Sequence, residues 1–372
     1  MKKLDPHIID SFFALVRAGL WEKDIQISQL GSLDFVALKK LAVEQTVLGL
    51  VTAGLDHVVG CKITKSDAVP FLKEVVAIEA KNSSVNHFIV KLVEKLRSEA
   101  IAFVLVKGQG VAQCYERPSW RSIGDVDLFF DQEGYNKAQS VLGPIASKVG
   151  QEDKIKKHIP MTIDSWIVEL HGALHSNVSE DLNNGVDAIQ RDIFENGGTR
   201  IWNNDGVEVP LPSPDNDAVL IFTHFLGHFY VGGIGLRQIC DWCRLLWTYR
   251  ETIDRSLLRK RLENMGVISE WEAFATFAVS YLGMPEEAMP FYVDSPALKR
   301  KARRIRDLIL ETGNFGHNKD DSYHRRYSGM SRNLMVVLHR FIEFVRLSTV
   351  FPKNAPRFFM TYLSRKKRAA MM

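Results

Sequence analysis

Hydrophobic positions recur at helical spacing through most of the chain and give way to strand-like patterns in one central stretch. Ile8, Phe12, Leu15 and Val16 share one face of a predicted helix, and Trp21 closes that segment. Leu33 to Leu55 forms a second amphipathic stretch. Pro70 to Leu96 forms a third, with Phe71, Val75, Ile78, Val85, Phe88, Ile89, Leu92 and Val93 along one side. The polar triplet Asn82-Ser83-Ser84 predicts a kink or a split in that third helix. Residues 5 to about 98 thus read as helices that pack against a sheet rather than folding alone.

At Ala100 the pattern changes. Ala100 to Val106 is seven apolar residues in a row, which predicts a buried strand. Lys107-Gly108-Gln109-Gly110 breaks it, and Val111 to Tyr115 starts a helix whose unpaired N–H groups attract an anion. A loop around Pro118 carries Arg117 and Arg121, and after Gly124 the chain enters a second strand, Asp125-Val126-Asp127-Leu128-Phe129-Phe130. A helix over Gln132 to Leu142 and a short strand over Ile145 to Val149 follow. His158 to Ile163 and Ser165 to His171 then form a hairpin turning at Asp164-Ser165, with Pro160 favouring a sheet edge or a strand start. Val178 to Phe194 reads as helix, and Thr199 to Leu211 as extended segments around the turn Asn203-Asn204-Asp205-Gly206.

Ser213 as N-cap and Pro214 at the first helical position mark a boundary. From there to about Trp247 the chain is helix, a break at Gly232-Gly233-Ile234-Gly235, and helix again. Further helices are expected at about 254–265, 267–282, 296–312 and 332–350. No fixed-period repeat emerges. The fold class is α+β, a mixed-sheet core with N-terminal helices and a large helical C-terminal domain. Its expected divisions are 1–98, 99–212 and 213–372.

The chemistry concentrates in that core. Successive strand side chains alternate faces, so Asp125 and Asp127 project together while Val126 and Leu128 pack on the opposite side. Two carboxylates held this close repel unless a cation lies between them. Hard oxygen donors at that spacing suit Mg²⁺, which takes one or two carboxylates and the phosphates of a substrate. In the hairpin, Glu169 and His171 share a face with Val168 and Leu170 opposite, so Glu169 paired beside Asp127 completes a three-carboxylate site. A lone Asp-x-Asp is more often a solvated strand edge. Here a glycine turn and an arginine loop accompany it.

The residues Lys107-Gly108, Tyr115, Arg121, Gly124-Asp125-Val126-Asp127-Leu128 and Val168-Glu169-Leu170-His171 together resemble a bacterial family of uncharacterised nucleotidyltransferases in the DNA polymerase beta-like superfamily. The close resemblance spans about Ala100 to Leu174. It implies a minimal nucleotidyltransferase fold and Mg²⁺-dependent transfer of a nucleotidyl group from a nucleoside triphosphate. It also implies Asp125, Asp127 and Glu169 as metal ligands. The superfamily's usual Gly-Ser turn is Lys107-Gly108 here, so a serine contact to the triphosphate is lost and Lys107 stands in for it. On this reading Lys107, Gly108, Gly110 and Arg121 bind the nucleotide, with one or two Mg²⁺ ions. The acceptor is an open set (a sugar or polysaccharide precursor, a protein side chain or an RNA end) bound between the core and the C-terminal helices. The alternatives are a non-catalytic nucleotide-binding module and a toxin-like transferase acting on tRNA or protein.

Composition narrows this only slightly. The apolar fraction is 46% and the charged fraction 25%, as in ordinary globular proteins, and no apolar run reaches the length of a membrane span. Asp5, Asp10 and Arg17 interrupt any secretion signal, and a cytoplasmic location is expected. Four scattered cysteines make no disulfide framework, and Cys240-x-x-Cys243 is a single pair in a helix where structural zinc wants four ligands. His224 and His228 stand at i and i+4, which reads as polar residues on an interdomain helix or as a face turned to the cleft. Arg237 and Asp241 share a helix face, either as an ion pair or with Asp241 presented to a nucleotide. Basic residues gather at Lys299–Arg306 and Arg365–Arg368. In the 341–368 tail they follow aromatic residues, the pattern of a membrane-surface segment, though packing on the helical domain is the leading account. His317 and Tyr323 to Arg326 read as a polar surface loop.

Overall fold

The computed structural model describes residues 5–31, 33–60, 63–154, 156–176, 178–314 and 329–369. The 317–326 loop lies outside them, as do the side chains of the basic tail from 362 onward. Helices α1 (Pro6–Trp21), α2 (Phe35–Glu44), α3 (Leu48–Asp56) and α4 (Lys65–Ser98) lead into the core, with short strands β1 (Ile25–Gln26) and β2 (Val58–Val59) paired between them. The amphipathic stretch over 33–55 forms two helices, divided where Thr46 adopts a positive φ of 55°. Helix α4 runs unbroken through the polar triplet. Asn82 is buried there and its Nδ2 donates to Ile78, Ser119 and Arg121 carbonyls, so the residue expected to kink the helix instead ties it to the arginine loop.

The central sheet has the order β3-β4-β7-β6-β5, built from β3 (Val104–Val106), β4 (Val126–Phe129), β5 (Lys148–Val149), β6 (His158–Ile163) and β7 (Trp166–His171). It is mixed: β4 runs parallel to β7 and antiparallel to β3, while β6 runs antiparallel to both its neighbours. The short helix α5 (Gly108–Ala112) follows β3, and α6 (Gln132–Leu142) follows β4. Pro160 sits inside β6, and its carbonyl accepts from Gly150 N at 2.8 Å. Its missing N–H therefore faces the short outermost strand rather than β7, which is how the sheet tolerates it. Helix α7 (Glu180–Glu195) and the separate hairpin β8 (Thr199–Asn204) and β9 (Val207–Pro212) complete this part. Asp205 and Gly206 take φ of 50° and 86° at the predicted turn.

Beyond it lie α8 (Pro214–Val231), α9 (Leu236–Thr248), α10 (Arg255–Asn264), α11 (Ile268–Leu282), α12 (Pro296–Thr312), α13 (Gly329–Ser348) and α14 (Asn354–Ala369). Ser213 caps α8 as predicted, its side chain accepting from Asn216 N. The sheet separates two apolar clusters. One face, with Leu105, Val126, Leu128, Val168 and Leu170, packs on the second half of α4 and on α6. Val104, Val106 and Phe129 belong to the larger cluster that includes Phe222 and Phe225 of α8 and Trp242 of α9. Only α4 of the N-terminal helices covers the sheet in the way expected. Helix α1 instead packs on α11, where Phe13 meets Phe277 edge-on at 6.3 Å and Trp21 Nε1 donates to Leu282 O. In the tail, Phe351 is buried against Phe229 and Phe274 and Phe344 stacks on Phe359, while Phe341 stays half exposed. Among the described residues no helix is long and apolar enough to cross a membrane.

Helices α1 and α3 cross at glycines. A Cβ at Gly19 would stand 2.0 Å from the Leu50 carbonyl oxygen, and one at Gly54 2.0 Å from that of Leu15. Backbone cannot yield as a side chain does, so Gly54→Ala should lower stability by about 1–3 kcal/mol or more. A urea midpoint unchanged in that variant would show that the helices do not cross so closely.

Candidate functional site

Register brings the acidic residues together. Val126 and Leu128 point into the α4 side of the sheet, so Asp127 lies on the other face with Val106 and Phe129. In-register parallel pairing sets Glu169 directly beside Asp127. Asp125, just before β4, joins them: one oxygen from each of Asp125, Asp127 and Glu169 lies within 4.8 Å of the other two. Asp125 is exposed, Asp127 buried and Glu169 half-buried.

The neighbours of this trio are basic. Lys107 Nζ donates to Asp127 Oδ1 at 2.7 Å, and His171 Nε2 lies 2.8 Å from the same oxygen. Across the β6–β7 hairpin His158 is paired with His171 and their rings stack at 4.8 Å. His158 Nε2 comes within 3.1 Å of Glu169 Oε2. From α8, His224 Nδ1 reaches to 3.4 Å from Lys107 Nζ, and His224 meets the His228 ring edge-on. So α8 turns this histidine pair toward the acidic face.

The charges are strongly coupled. The Asp127 carboxylate beside it pushes Asp125 up to about 6. Burial would raise Asp127 too, but Lys107 and His171 hold it well below the usual carboxylate range. Lys107 is raised, because Asp127 and Asp125 outweigh the cost of burying its ammonium. Burial, followed by the positive charge of Lys107, lowers His224 well below its ordinary value and brings His228 down to about 4. Both rings are therefore neutral at pH 7. Carboxylate crowding relieved by one ammonium, with oxygen donors converging from two strands, fits a divalent cation of the hard class.

The glycine turn serves two purposes. Lys107 and Gly108 both adopt positive φ, 58° and 43°, which turns the chain sharply out of β3. Gly110 matters for packing: a Cβ there would lie 2.7 Å from Leu211 Cδ2. The helix expected over 111–115 is a single turn that begins earlier, at Gly108, and ends at Ala112.

Arg121 is not with the trio. It is buried, and its fork grips Asp241 with Nε to Oδ1 at 2.7 Å and Nη2 to Oδ2 at 2.8 Å, while Tyr115 Oη donates to the same Oδ1. Three donors thus converge on Asp241, and among the described residues it forms no ion pair with Arg237 of the same helix. Arg237 instead donates through Nη1 to Ser122 O at 2.6 Å, just ahead of Asp125, and its buried Nε has no hydrogen-bond partner among the described residues. Cys240 and Cys243 are fully buried free thiols, raised in pKa by burial.

Residues 32–283 match the model of a protein family described as uncharacterised nucleotidyltransferase. The chain belongs to this family. A search among curated proteins finds no match. Among solved structures, the chain is similar to an antigenic nucleotidyltransferase-like protein from Paracoccidioides brasiliensis. The two share 16% identity at a TM-score of 0.33, over 58% of this chain and 96% of that one.

Two nearby residues carry no role beside the trio in the sequence reading. His158 stands there only as the start of a strand, and Arg237 only as a helix-face neighbour of Asp241. Counting back from the turn at Asp164-Ser165 would have set His158 opposite His171, since the hairpin has no bulge. For Arg237 no comparable local signal exists, because its contact spans 115 positions.

Proposed function

We propose that the chain transfers a nucleotidyl group from a nucleoside triphosphate to an acceptor hydroxyl. The observation that carries this reading is the convergence of Asp125, Asp127 and Glu169 oxygens within 4.8 Å in a chain of nucleotidyltransferase family membership. These three residues would hold divalent metal, Mg²⁺ by donor type, as one ion or two. When bound, the metal would withdraw charge from the phosphates and make the acceptor hydroxyl easier to deprotonate.

The remaining work falls to the chain's own residues. Lys107 is tied to Asp127 by one short contact and is the cation nearest the trio, so it is placed to trade that partner for phosphate oxygens. Gly108 allows the sharp turn that brings the Lys107 backbone past Asp125. The acceptor oxygen attacks the α-phosphorus, the bond to the pyrophosphate oxygen breaks, and the hydroxyl proton leaves to a carboxylate of the trio. Glu169, half-buried, is our choice for that proton. Arg237, whose buried Nε makes no hydrogen bond among the described residues and whose Nη1 donates to Ser122 O ahead of Asp125, is our candidate for an arginine that reaches the phosphates. The acceptor would approach between the sheet and α8, past His224. We take the core as 99–212, flanked by helical parts 1–98 and 213–372, and the location as cytoplasmic.

Incubation with each α-labelled triphosphate, Mg²⁺ and a cell lysate tests the reading. Label fixed in a metabolite or macromolecule, and lost on chelation, supports it. Metal-dependent binding of all four nucleotides with no label transferred would favour a module that only binds. Label in tRNA or protein, with toxicity on expression that Asp125→Ala removes, would favour the toxin-like form of the reaction.

A further inference from the structure

Beside the all-oxygen trio lies a second group of potential ligands with different chemistry. His158, Glu169 and His171 each offer one donor atom, and these three atoms also lie within 4.8 Å of one another. His158 Nε2 is 3.1 Å from Glu169 Oε2, and His171 Nε2 is 3.6 Å from that same oxygen, with a shorter 2.8 Å contact to Asp127 Oδ1 that it would give up on binding an ion. Donors around a tetrahedral ion with bonds of about 2.1 Å stand about 3.4 Å apart, so both separations suit a shared ion.

An independent observation concerns the His158 nitrogen. Its Nε2 is buried and, among the described residues, has no partner in hydrogen-bond alignment, although a carboxylate oxygen lies 3.1 Å away. A ring nitrogen near a carboxylate but not aligned with it is poorly explained as a simple hydrogen bond, because an unmade bond at a buried polar atom costs about 1–3 kcal/mol. A cation between the two removes that cost. The hairpin holds the arrangement rigidly, since the residues carrying the two imidazoles are direct cross-strand partners with stacked rings.

We infer that His158, Glu169 and His171 form a binding site for a borderline transition-metal dication of the zinc or cobalt class, with Glu169 common to this site and to the oxygen trio. Imidazole nitrogen selects such ions over Mg²⁺, which prefers oxygen and water. One carboxylate then serves two positions of different selectivity. The inference concerns metal binding and does not depend on the nucleotidyl-transfer reading.

Co²⁺ added to metal-stripped protein in excess Mg²⁺ gives the test, because nitrogen-ligated Co²⁺ shows visible ligand-field bands. One equivalent should produce those bands and resist displacement by Mg²⁺. His158→Ala should weaken Co²⁺ binding by about 10-fold or more and alter the bands. Asp125→Asn should leave both unchanged, since Asp125 belongs only to the oxygen set. His171→Asn provides a second ligand deletion, with circular dichroism melts to verify folding, and His158→Ala decides if that variant does not fold. No bands in the wild-type chain, ready displacement by Mg²⁺, or wild-type binding in His158→Ala would each overturn the inference. A chain that binds Co²⁺ as described yet transfers no nucleotide would sink the reading of the previous section and leave this one standing.

Discussion

Asp127→Asn is expected to reduce nucleotidyl transfer by about 10³-fold while the protein stays folded, an effect on the scale of removing a preorganised electrostatic group from an active site. Asp127 is the buried member of the trio and the one that both Lys107 and His171 contact. Asparagine keeps the shape and one oxygen to accept from Lys107, but removes the charge that would bind metal. Alanine at the same position is predicted to do more. It would strand the Lys107 ammonium, only 15% exposed, without its closest counter-ion. Breaking a buried pair from one side costs about 3–5 kcal/mol, so Asp127→Ala should lose stability as well as activity. Steady-state transfer rates and urea midpoints on the two variants separate these outcomes. An asparagine variant with wild-type rate would remove Asp127 from the chemistry.

Arg121→Ala is expected to cost about 3–5 kcal/mol of stability, because it leaves the buried Asp241 carboxylate with Tyr115 as its remaining partner. The pair joins the loop before Asp125 to α9, so it fixes where the acidic strand begins. Arg121→Lys should recover little, since an ammonium cannot make the two-point contact of the planar fork. An apolar pair, Arg121→Met with Asp241→Leu, should restore much of the stability, as buried ion pairs often tolerate replacement by packed side chains. A different result would change the assignment: if Arg121→Ala kept its urea midpoint but lost transfer, Arg121 would be a phosphate contact, as the sequence alone suggested.

The contrast between Asp127 and Arg121 marks what the sequence could convey. Alternation along five or six residues is local information, and it put Asp125 and Asp127 on one side, Val126 and Leu128 on the other, and Glu169 on the same face as His171. Parallel pairing of β4 with β7 then needed only the expectation that two acidic strands would be neighbours. Caps and turns were equally local: Ser213 and Pro214 at α8, Asp205 and Gly206 at the β8–β9 turn. The buried pairing of Arg121 was not legible in the sequence because its partner is 120 positions away, on a helix whose orientation no short pattern reveals. Asn82 failed for a related reason. A polar residue in a helix predicts a break only when it competes for its own backbone, whereas here it bonds across to Ser119 and Arg121. The histidines around the trio come from three separate segments, and only the His158–His171 pair was available from hairpin counting.

The most direct test is a crystal of the protein grown with Mn²⁺ and a non-hydrolysable nucleoside triphosphate, examined by anomalous diffraction. The account predicts a manganese peak bound by oxygens of Asp125, Asp127 and Glu169 at about 2.2 Å, with triphosphate oxygens and Lys107 beside it. Manganese and nucleotide found together at another surface, with the Glu169 carboxylate still lying between His158 and His171, would contradict it.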